Sequence, residues 1–478
     1  MPIILGGSSA AAGAFSVGNS CQFEPGDNTD LSKTPGGAGN QKTWTYSCWV
    51  KKTKAGSRQG IINVNGSSNP YFFVEFIASD AINIQDYDGS QDTDLITSAL
   101  YQDVGAWYHI CVAYDTTQAV DTNRIKLYVN GTQVTDFSTS TYCAQDFVTQ
   151  MNSTYELFVG KAATQEFGGY MAEVCVIDGL QLAASDFGEF DEDSPTIWKP
   201  KDISTLTAGT NGFYLDFADS ANLGNDVFGG TDLTENNIVA ANQMIDSPTN
   251  NFCTMNSTVG TRSGFTWSYG NTKLITGNND GSGSTMGSPS GKWYYEIYIN
   301  TLGNFYGGWQ DLSNEEADFA EFVPAGCVAM NNTPDIYYNG TGTAQSSGNK
   351  GVPSFTSGDY IGLAFDTDNL TCWYSKTGQW YTGDSGTAST LTRAQVSANA
   401  NGFDCTTAAA FSSSSVVAPF MGCSTSDTTN SFNFGNGRFG ATALTGTTYT
   451  DDNEQGIFKY EPPDGFRALC TKNLGEFG

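Results

Sequence analysis

The densest group of acidic side chains is a run of aspartates around a glycine turn. Asp86, Asp88, Asp92 and Asp94 fall within nine residues, with Gly89 near the centre. Carboxylate oxygens at alternate positions of a tight loop suit Ca²⁺, although the run lacks the glutamate that completes an EF-hand loop. Asp-Gly is also an ordinary hairpin turn. The run therefore leaves two interpretations open, a plain turn and a calcium site, and no cofactor is required.

The residue patterns that hydrolytic enzymes need are weak. Retaining glycosidases place two carboxyl groups about 5–5.5 Å apart, and the segment Glu189–Asp193 (EFDED) offers alternating acids, but it leads into Ser194-Pro195, which favours a solvated loop. The one histidine, His109, shares a strand face with Cys111, where no turn exposes the sulfur, so we expect a structural histidine. These patterns, and the lack of a P-loop, predict that the chain is not an enzyme.

Aromatic side chains beside turns are candidates for binding a sugar or a protein surface. Tyr337 and Tyr338 precede Asn339-Gly340, and Trp380 follows the Thr377-Gly378 turn. Most other aromatic residues alternate with polar ones, which is typical of residues that fill a sheet core. We therefore expect ligand contacts at Tyr337, Tyr338 and Trp380.

Composition excludes several classes of partner. The 478 residues contain 21 Lys plus Arg and 50 Asp plus Glu, a formal net charge of −29. Such a surface repels phosphate, so we expect neither nucleic acid nor anionic membrane as a partner. No stretch approaches the ~20 apolar residues of a membrane span. Charged residues make up 15 % and aromatic residues 13 %, which favours short strands and turns around ample apolar bulk.

Period-two alternation predicts strands in a first block, 15–200. Trp107–Asp115 (WYHICVAYD) places Tyr108, Ile110, Val112 and Tyr114 on one face. The segment Ile125–Asn130 runs into Asn130-Gly131, the strongest short hairpin signal. So many antiparallel strands in one block predict a sandwich.

A second block, 258–478, shows the same alternation. Its clearest strand is Gly291–Asn300 (GKWYYEIYIN), with Trp293 and Tyr295 on one face. Between the blocks, 201–257 is a loop-rich connector that we expect to pack on one of the sandwiches, and 1–14 is an N-terminal arm. We therefore predict an all-β chain of two antiparallel jelly-roll-type β-sandwiches in tandem.

Cysteine usage and the N-terminus bear on where the protein is made. The eleven cysteines include no C-x-x-C pair, and several lie inside predicted strands, where cysteine acts as a small apolar residue. The apolar run Pro2–Leu5 is too short for a signal-peptide core. We expect reduced, buried thiols in a protein made in a cytoplasm.

Spaced motifs in both blocks resemble known domains. The first block resembles a laminin-G, concanavalin A-like jelly roll, and the second resembles a SPRY domain, with glycine-, serine- and threonine-rich insertions around 341–357 and 381–415. The motifs that carry the first resemblance are Trp107–Asp115, Leu127–Gly131, Phe158–Gly160 and Tyr170–Gly179, and those of the second are Gly291–Glu296, Gly358–Asp366 and Trp373–Gly378.

The order of the two blocks resembles structural proteins of tailed bacteriophages, as does the ending Phe458–Leu469 (FKYEPPDGFRAL). That resemblance implies a virion component, such as a tail or capsid fibre or a decoration protein, made in the host cytoplasm. It implies other virion proteins and further copies of this chain as partners, with host-surface glycans as a possible target. The alternatives are a secreted carbohydrate-active enzyme and a cellular lectin or adhesin.

Overall fold

The structure, a computed structural model, describes residues 15–258, 265–275, 280–313, 323–339, 345–349, 352–383, 389–406, 411–424 and 428–478. The predicted N-terminal arm, 1–14, lies outside the described residues. The chain packs as two units that divide between Thr249 and Asn250. The described part of the first unit is 15–249, and the second unit is the described part of 250–478.

The first unit consists of antiparallel strands in two large sheets and two small hairpins. One sheet has the order β10-β9-β8-β3-β15-β1-β20, with β18 also paired to β15, and the other has the order β11-β7-β6-β5-β4-β12-β2-β19. The hairpins are β13-β14 and β16-β17. The strands are β1 Ser20–Phe23, β2 Asp30–Lys33, β3 Thr43–Lys52, β4 Gln59–Val64, β5 Tyr71–Phe76, β6 Ile82–Tyr87, β7 Gln91–Thr97, β8 Tyr108–Asp115, β9 Ile125–Val129, β10 Thr132–Val134, β11 Phe137–Thr141, β12 Leu157–Val159, β13 Lys161–Ala162, β14 Gln165–Glu166, β15 Gly169–Asp178, β16 Gly188–Phe190, β17 Trp198–Pro200, β18 Phe213–Leu215, β19 Thr234–Asn236 and β20 Gln243–Met244.

The second unit repeats this plan with its own two sheets. Their orders are β21-β22-β35-β24-β29-β30-β31-β32, with β33 paired to β30, and β23-β34-β25-β26-β27-β28. Its strands are β21 Thr266–Ser268, β22 Lys273–Ile275, β23 Asp280–Gly283, β24 Lys292–Thr301, β25 Phe305–Asp311, β26 Cys327–Asn331, β27 Asp335–Asn339, β28 Gln345–Asn349, β29 Tyr360–Asp366, β30 Thr371–Lys376, β31 Gln379–Tyr381, β32 Thr390–Leu391, β33 Phe403–Asp404, β34 Val417–Cys423, β35 Thr429–Asn433, β36 Arg438–Phe439, β37 Thr442–Ala443, β38 Tyr449–Thr450 and β39 Ile457–Phe458.

Helices are few and short. They are α1 Asp121–Arg124, α2 Arg393–Ser397 and α3 Thr471–Phe477, with 3-10 turns at Pro25–Asp27, Ala184–Asp186 and Ala240–Asn242. None of the helices in the described ranges has the length and apolar character needed to cross a bilayer. The nearly all-β, antiparallel sandwich class that the sequence predicted is confirmed.

Alternating apolar residues build the core between the first unit's sheets. Trp44 on β3 pairs with Tyr114 on β8, and their rings stack at 4.2 Å. Phe72, from the opposite sheet, meets the Trp44 ring edge-on at 5.3 Å. These residues are fully buried, so one aromatic cluster joins the two layers, as the period-two pattern requires.

The second unit is centred on β24. Trp293, Tyr295, Ile297 and Ile299 are all fully buried in one core. The Tyr295 hydroxyl donates to the Gly308 carbonyl at 2.6 Å, which satisfies its polar group inside the core.

A buried glutamate fastens the end of the chain to β24. Glu296 accepts hydrogen bonds from the backbone N–H groups of Lys459 and Tyr460 at 2.9 and 2.8 Å, and from Asn433 Nδ2 at 3.0 Å. Burial raises the pKa of its carboxyl to about 7, against the opposing effect of these donors.

The segment predicted as a connector contributes strands to the first unit. Strand β18 pairs with β15, β19 with β2 and β20 with β1. Strands β18 and β20 therefore extend one sheet of the first unit, and β19 extends the other.

All eleven cysteines are buried, and none forms a disulfide bond. Burial raises the pKa of the Cys48 and Cys470 thiols to about 12 and that of Cys143 to about 11. The reactive thiolate is therefore scarce at neutral pH.

We expect the native protein to resist thiol reagents. Titration with a chromogenic disulfide at pH 8 should label almost no cysteine in buffer, because all eleven thiols are buried and out of reach of the reagent. All eleven should react in denaturant. Rapid labelling of the native protein, without loss of its far-UV circular dichroism, would contradict this burial.

Candidate functional site

The four aspartates of the predicted calcium run are divided between the two faces of a hairpin. Asp86 on β6 is fully buried and lies opposite Thr93 on β7. Asp94 lies opposite Gln85 on the other face. Asp88 is exposed in the turn and Asp92 is half-buried.

A one-residue bulge causes this division. The register shifts between Asp86 and Tyr87, so that Asp86 faces Thr93 instead of Asp92. Burial raises the pKa of the Asp86 carboxyl well above its ordinary value, and Asp92 and Asp88 raise it further. Within the described residues, no group of three His, Cys, Asp or Glu side chains is arranged to hold a metal ion.

The three predicted aromatic contacts lie apart in the second unit. Tyr337 and Tyr338 are half-buried neighbours on β27, so they face opposite sides of the sheet. Tyr337 meets Tyr306 edge-on at 5.2 Å, whereas Tyr338 packs near Phe403 at 6.1 Å. Trp380, on β31 of the other sheet, is only 2 % exposed. The three side chains therefore do not form one surface.

The acidic segment 189–193 begins in strand β16, with Glu189 and Phe190, and continues into the turn of the β16-β17 hairpin. Asp191 accepts hydrogen bonds from the backbone N–H groups of Asp193 and Ser194, at 3.0 and 2.9 Å, and so closes the turn. Lys199 lies 3.5 Å from Glu189 and 3.4 Å from Asp191. These acids stabilise the hairpin that carries the aromatic residues described next.

An aromatic pocket lies beside this hairpin. Phe190 pairs with Trp198 across the hairpin, and their rings meet edge-on at 4.9 Å. Together with Tyr128 on β9 they border a cavity of about 330 Å³. Phe190 is 43 % exposed, so part of its ring is open to solvent. The remaining lining residues are Gly131, Ala183, Ala184, Ser185, Gly188, Glu189 and Lys201.

Two glycines allow the Trp198 indole to lie directly on the backbone. A Cβ atom at Gly131 would lie 2.2 Å from the indole, and one at Gly188 would lie 2.6 Å from it. Gly131 belongs to the turn of the predicted Asn130-Gly131 hairpin, where both residues have positive φ (47° and 76°), as a type I′ turn requires. Any larger residue would displace the indole.

A buried hydrogen-bond chain fixes the indole from below. Trp198 Nε1 donates to His109 Nδ1 at 3.1 Å, and His109 Nε2 lies 2.8 Å from Ser47 Oγ. An indole N–H only donates, so Nδ1 is the acceptor and the proton of the neutral ring is on Nε2, which donates to Ser47. Burial lowers the pKa of His109 to about 3. This histidine therefore cannot take a proton from Ser47 and acts as a support for Trp198.

The sequence analysis did not predict the residues of this pocket as ligand contacts. Phe190 lies within the segment Glu189–Asp193, for which the sequence favours a solvated loop, Trp198 follows that segment, and Tyr128 lies in a predicted strand. One feature of the sequence could have indicated the pocket, namely two aromatic residues on either side of an acidic turn that contains a proline. The same pattern is also typical of an ordinary hairpin.

The single histidine makes this arrangement directly observable. We expect nitrogen NMR of imidazole-labelled protein to show one neutral Nε2–H tautomer that does not titrate between pH 8 and pH 5, because the folded pKa lies near 3. In the Trp198→Phe variant, Nδ1 loses its donor and its nitrogen shift should move. A midpoint near the ordinary value of about 6.5 would show that the ring is exposed.

A comparison with known protein families matches part of the first unit. Residues 26–183 match the family described as the Concanavalin A-like lectin/glucanases superfamily. No curated protein matches the chain.

Solved structures with some similarity include three animal proteins. The SPRY domain of human HERC1 is 15 % identical over 34 % of this chain and 87 % of its own, with a TM-score of 0.23. A heptameric SAP-like pentraxin from Limulus polyphemus is 13 % identical over 36 % and 80 %, with a TM-score of 0.27. Domains LG4-5 of the mouse laminin alpha1 chain are 11 % identical over 96 % and 97 %, with a TM-score of 0.30. Residues 26–183, which include strands β2 to β15 of the first unit, are therefore similar to a laminin-G, concanavalin A-like domain.

Proposed function

We propose that the protein is a non-enzymatic, glycan-binding adhesion protein and that the aromatic pocket is its contact site. The observation that carries this proposal is the indole of Trp198, held against two glycines and a buried histidine at the border of an open cavity. A rigid aromatic face offers the C–H side of a sugar ring a contact that costs little conformational entropy.

Polar groups at the pocket complement the hydroxyl groups of a sugar. Glu189 provides acceptors, Lys201 provides donors, and Ser185 provides both. A mostly apolar pocket with a few polar groups at its border is typical of small-ligand sites. The concanavalin A-like class of residues 26–183 supports a lectin-like role.

The chemistry of the described side chains supports binding without turnover. His109 holds its proton towards Ser47, so this pair has no general base. In the β16-β17 hairpin, Asp191 accepts backbone hydrogen bonds, and both Asp191 and Glu189 pair with Lys199. The binding role requires no cofactor.

We further propose that the protein works as part of a bacteriophage particle, as a fibre or decoration protein. The resemblance of the two-block order and of the ending Phe458–Leu469 to phage structural proteins supports this. Eleven buried thiols suit a protein that folds in a reducing cytoplasm and works outside the cell. Its partners would be other virion proteins and copies of itself.

Removal of the open ring tests the glycan contact. We expect Phe190→Ala to weaken binding to oligosaccharides about tenfold, because it removes a stacking face without opening the core. The control is Leu100→Ala, which truncates a similarly exposed apolar residue away from the pocket. Binding would be measured on an array of neutral and acidic oligosaccharides and then by calorimetry, with melting temperatures to check folding. A native protein that binds no glycan, or equal losses in both variants, would refute the contact.

Assembly tests the virion role. Sedimentation equilibrium of the purified full chain should give a homo-oligomer, because fibres and decoration proteins act as symmetric copies. A monomer at all accessible concentrations, or release of reducing sugar from a bound polysaccharide, would argue for one of the cellular alternatives.

A further inference from the structure

A second cavity of the first unit lies among three glycine-containing segments. Segments 33–36, 208–212 and 226–231 enclose about 420 Å³, and we call this cavity the glycine-rich pocket. Its lining residues are Lys33, Thr34, Pro35, Gly36, Ala208, Gly209, Thr210, Asn211, Gly212, Asp226, Phe228, Gly229, Gly230 and Thr231. It shares no residue with the aromatic pocket.

One ion pair in this pocket has unused hydrogen-bonding capacity. Lys33 Nζ lies 3.6 Å from Asp226 Oδ2, and the two side chains are 13 % exposed and fully buried. Asp226 Oδ1 accepts from the backbone N–H groups of Tyr214 and Phe228, at 3.0 and 3.1 Å, but Oδ2 has no hydrogen-bond partner. Nor does the Lys33 ammonium donate a hydrogen bond within the part of the chain that is described. Buried polar groups rarely stay unsatisfied in this way.

Glycine is favoured at three positions of the backbone around this ion pair. A Cβ atom at Gly230 would lie 2.3 Å from Asp226 Oδ2. Gly209 and Gly229 have φ values of 78° and 82°, which other residues adopt at a cost. The turns therefore pass close to the carboxylate, and the wall consists of backbone groups and the exposed hydroxyls of Thr210 and Thr231.

One side of the pocket is apolar and held in place. The half-buried Phe228 ring lies 5.4 Å from that of Tyr214, whose hydroxyl donates to Glu173 Oε2 at 2.6 Å. The pocket thus combines one aromatic edge with many small hydrogen-bonding groups, which is the composition that suits a polyhydroxyl ring.

The charges in and around the pocket favour an uncharged ligand. Lys33 and Asp226 are the two charged residues in the lining and they pair with one another, so the lining carries no excess charge to attract an ion. The net charge of −29 on the chain disfavours polyanions such as uronic acid chains. A hydroxyl group, in contrast, accepts from an ammonium and donates to a carboxylate or carbonyl without bringing in charge.

We propose that the glycine-rich pocket is a second carbohydrate subsite, which binds an uncharged sugar residue through hydrogen bonds from Lys33. This inference rests on the proposed glycan binding for its ligand class, but it places a separate contact on the same unit. Two subsites on one chain would raise the avidity for a polysaccharide, because the second contact forms at a high effective concentration.

Two neighbouring glycines supply a matched test. Gly36 lines the pocket and Gly37 does not, and a Cβ atom at either position meets nothing within 4 Å. Neither has a positive φ. Leucine is therefore tolerated by the fold at both positions, but Gly36→Leu adds bulk at the pocket. Binding of native protein, Gly36→Leu, Gly37→Leu, Phe190→Ala and the double variant Gly36→Leu/Phe190→Ala would be compared on immobilised neutral and uronic-acid-containing oligosaccharides.

We expect Gly36→Leu to lose about tenfold in affinity for neutral oligosaccharides, Gly37→Leu to match the native protein, and the double variant to bind more weakly than either single variant. Equal binding by Gly36→Leu and Gly37→Leu, while Phe190→Ala is impaired, would overturn the second subsite and leave the proposed function intact. Selective loss of uronic acid binding in Gly36→Leu would overturn the uncharged class of ligand. A native protein that binds no glycan would overturn both proposals.

Discussion

The first unit depends on a sheet that is buried on both faces. From Trp44 to Lys52, every residue of β3 is buried, although only the inner face meets the opposite sheet. Polar groups on the outer face therefore find partners in the protein instead of water. Lys51 Nζ pairs with Asp246 at 2.8 Å, and the same carboxylate accepts from the Trp107 indole at 3.0 Å. The His109–Ser47 hydrogen bond meets the same requirement.

This constraint connects the interior to the aromatic pocket. His109 is fully buried on the outer face of β8, so its Nδ1 needs a donor from the segment that covers the sheet. Trp198 is that donor, and the hydrogen bond sets the angle of the ring at the border of the cavity. The orientation of a candidate ligand contact thus follows from the need to satisfy one buried nitrogen, and it does not depend on the ligand.

Local patterns in the sequence predict the strands, but they do not predict the contacts between segments that are distant in the sequence. Alternation predicted β8 and β24, and Asn130-Gly131 predicted its hairpin, because each signal lies within a few residues. The calcium interpretation depended on register instead. Without the bulge after Asp86, Asp86 would lie opposite Asp92. With the bulge, Asp86 lies opposite Thr93. A one-residue shift of this kind leaves no trace in the spacing of the aspartates.

Contacts between distant segments also decide which of the aromatic residues are exposed. Trp380 follows a turn, and this position favoured exposure. In the structure it is buried instead, because its ring packs 6.0 Å from that of Tyr294, and Tyr294 in turn contacts Phe458 at 4.9 Å. Trp198, in contrast, became a pocket residue because it reaches Gly131 and His109, which are distant in sequence. Whether an aromatic side chain fills a core or borders a cavity is decided by which segment crosses it, and composition alone does not encode that choice.

Both pockets share one construction. Their floors belong to the laminin-G-like segment, at Gly131 and Lys33, whereas the walls come from residues after 183, at Trp198 and Asp226. The strands of the sandwich must keep their alternation to fold, so they leave little freedom for change at the surface. The covering segments satisfy polar groups on the outer face, as Trp198 does for His109, and connecting segments generally tolerate change better than the strands that they connect. Under the proposed glycan binding, the segments that cover the sheet would therefore set the ligand preference of this unit, while the sheet itself supplies rigidity.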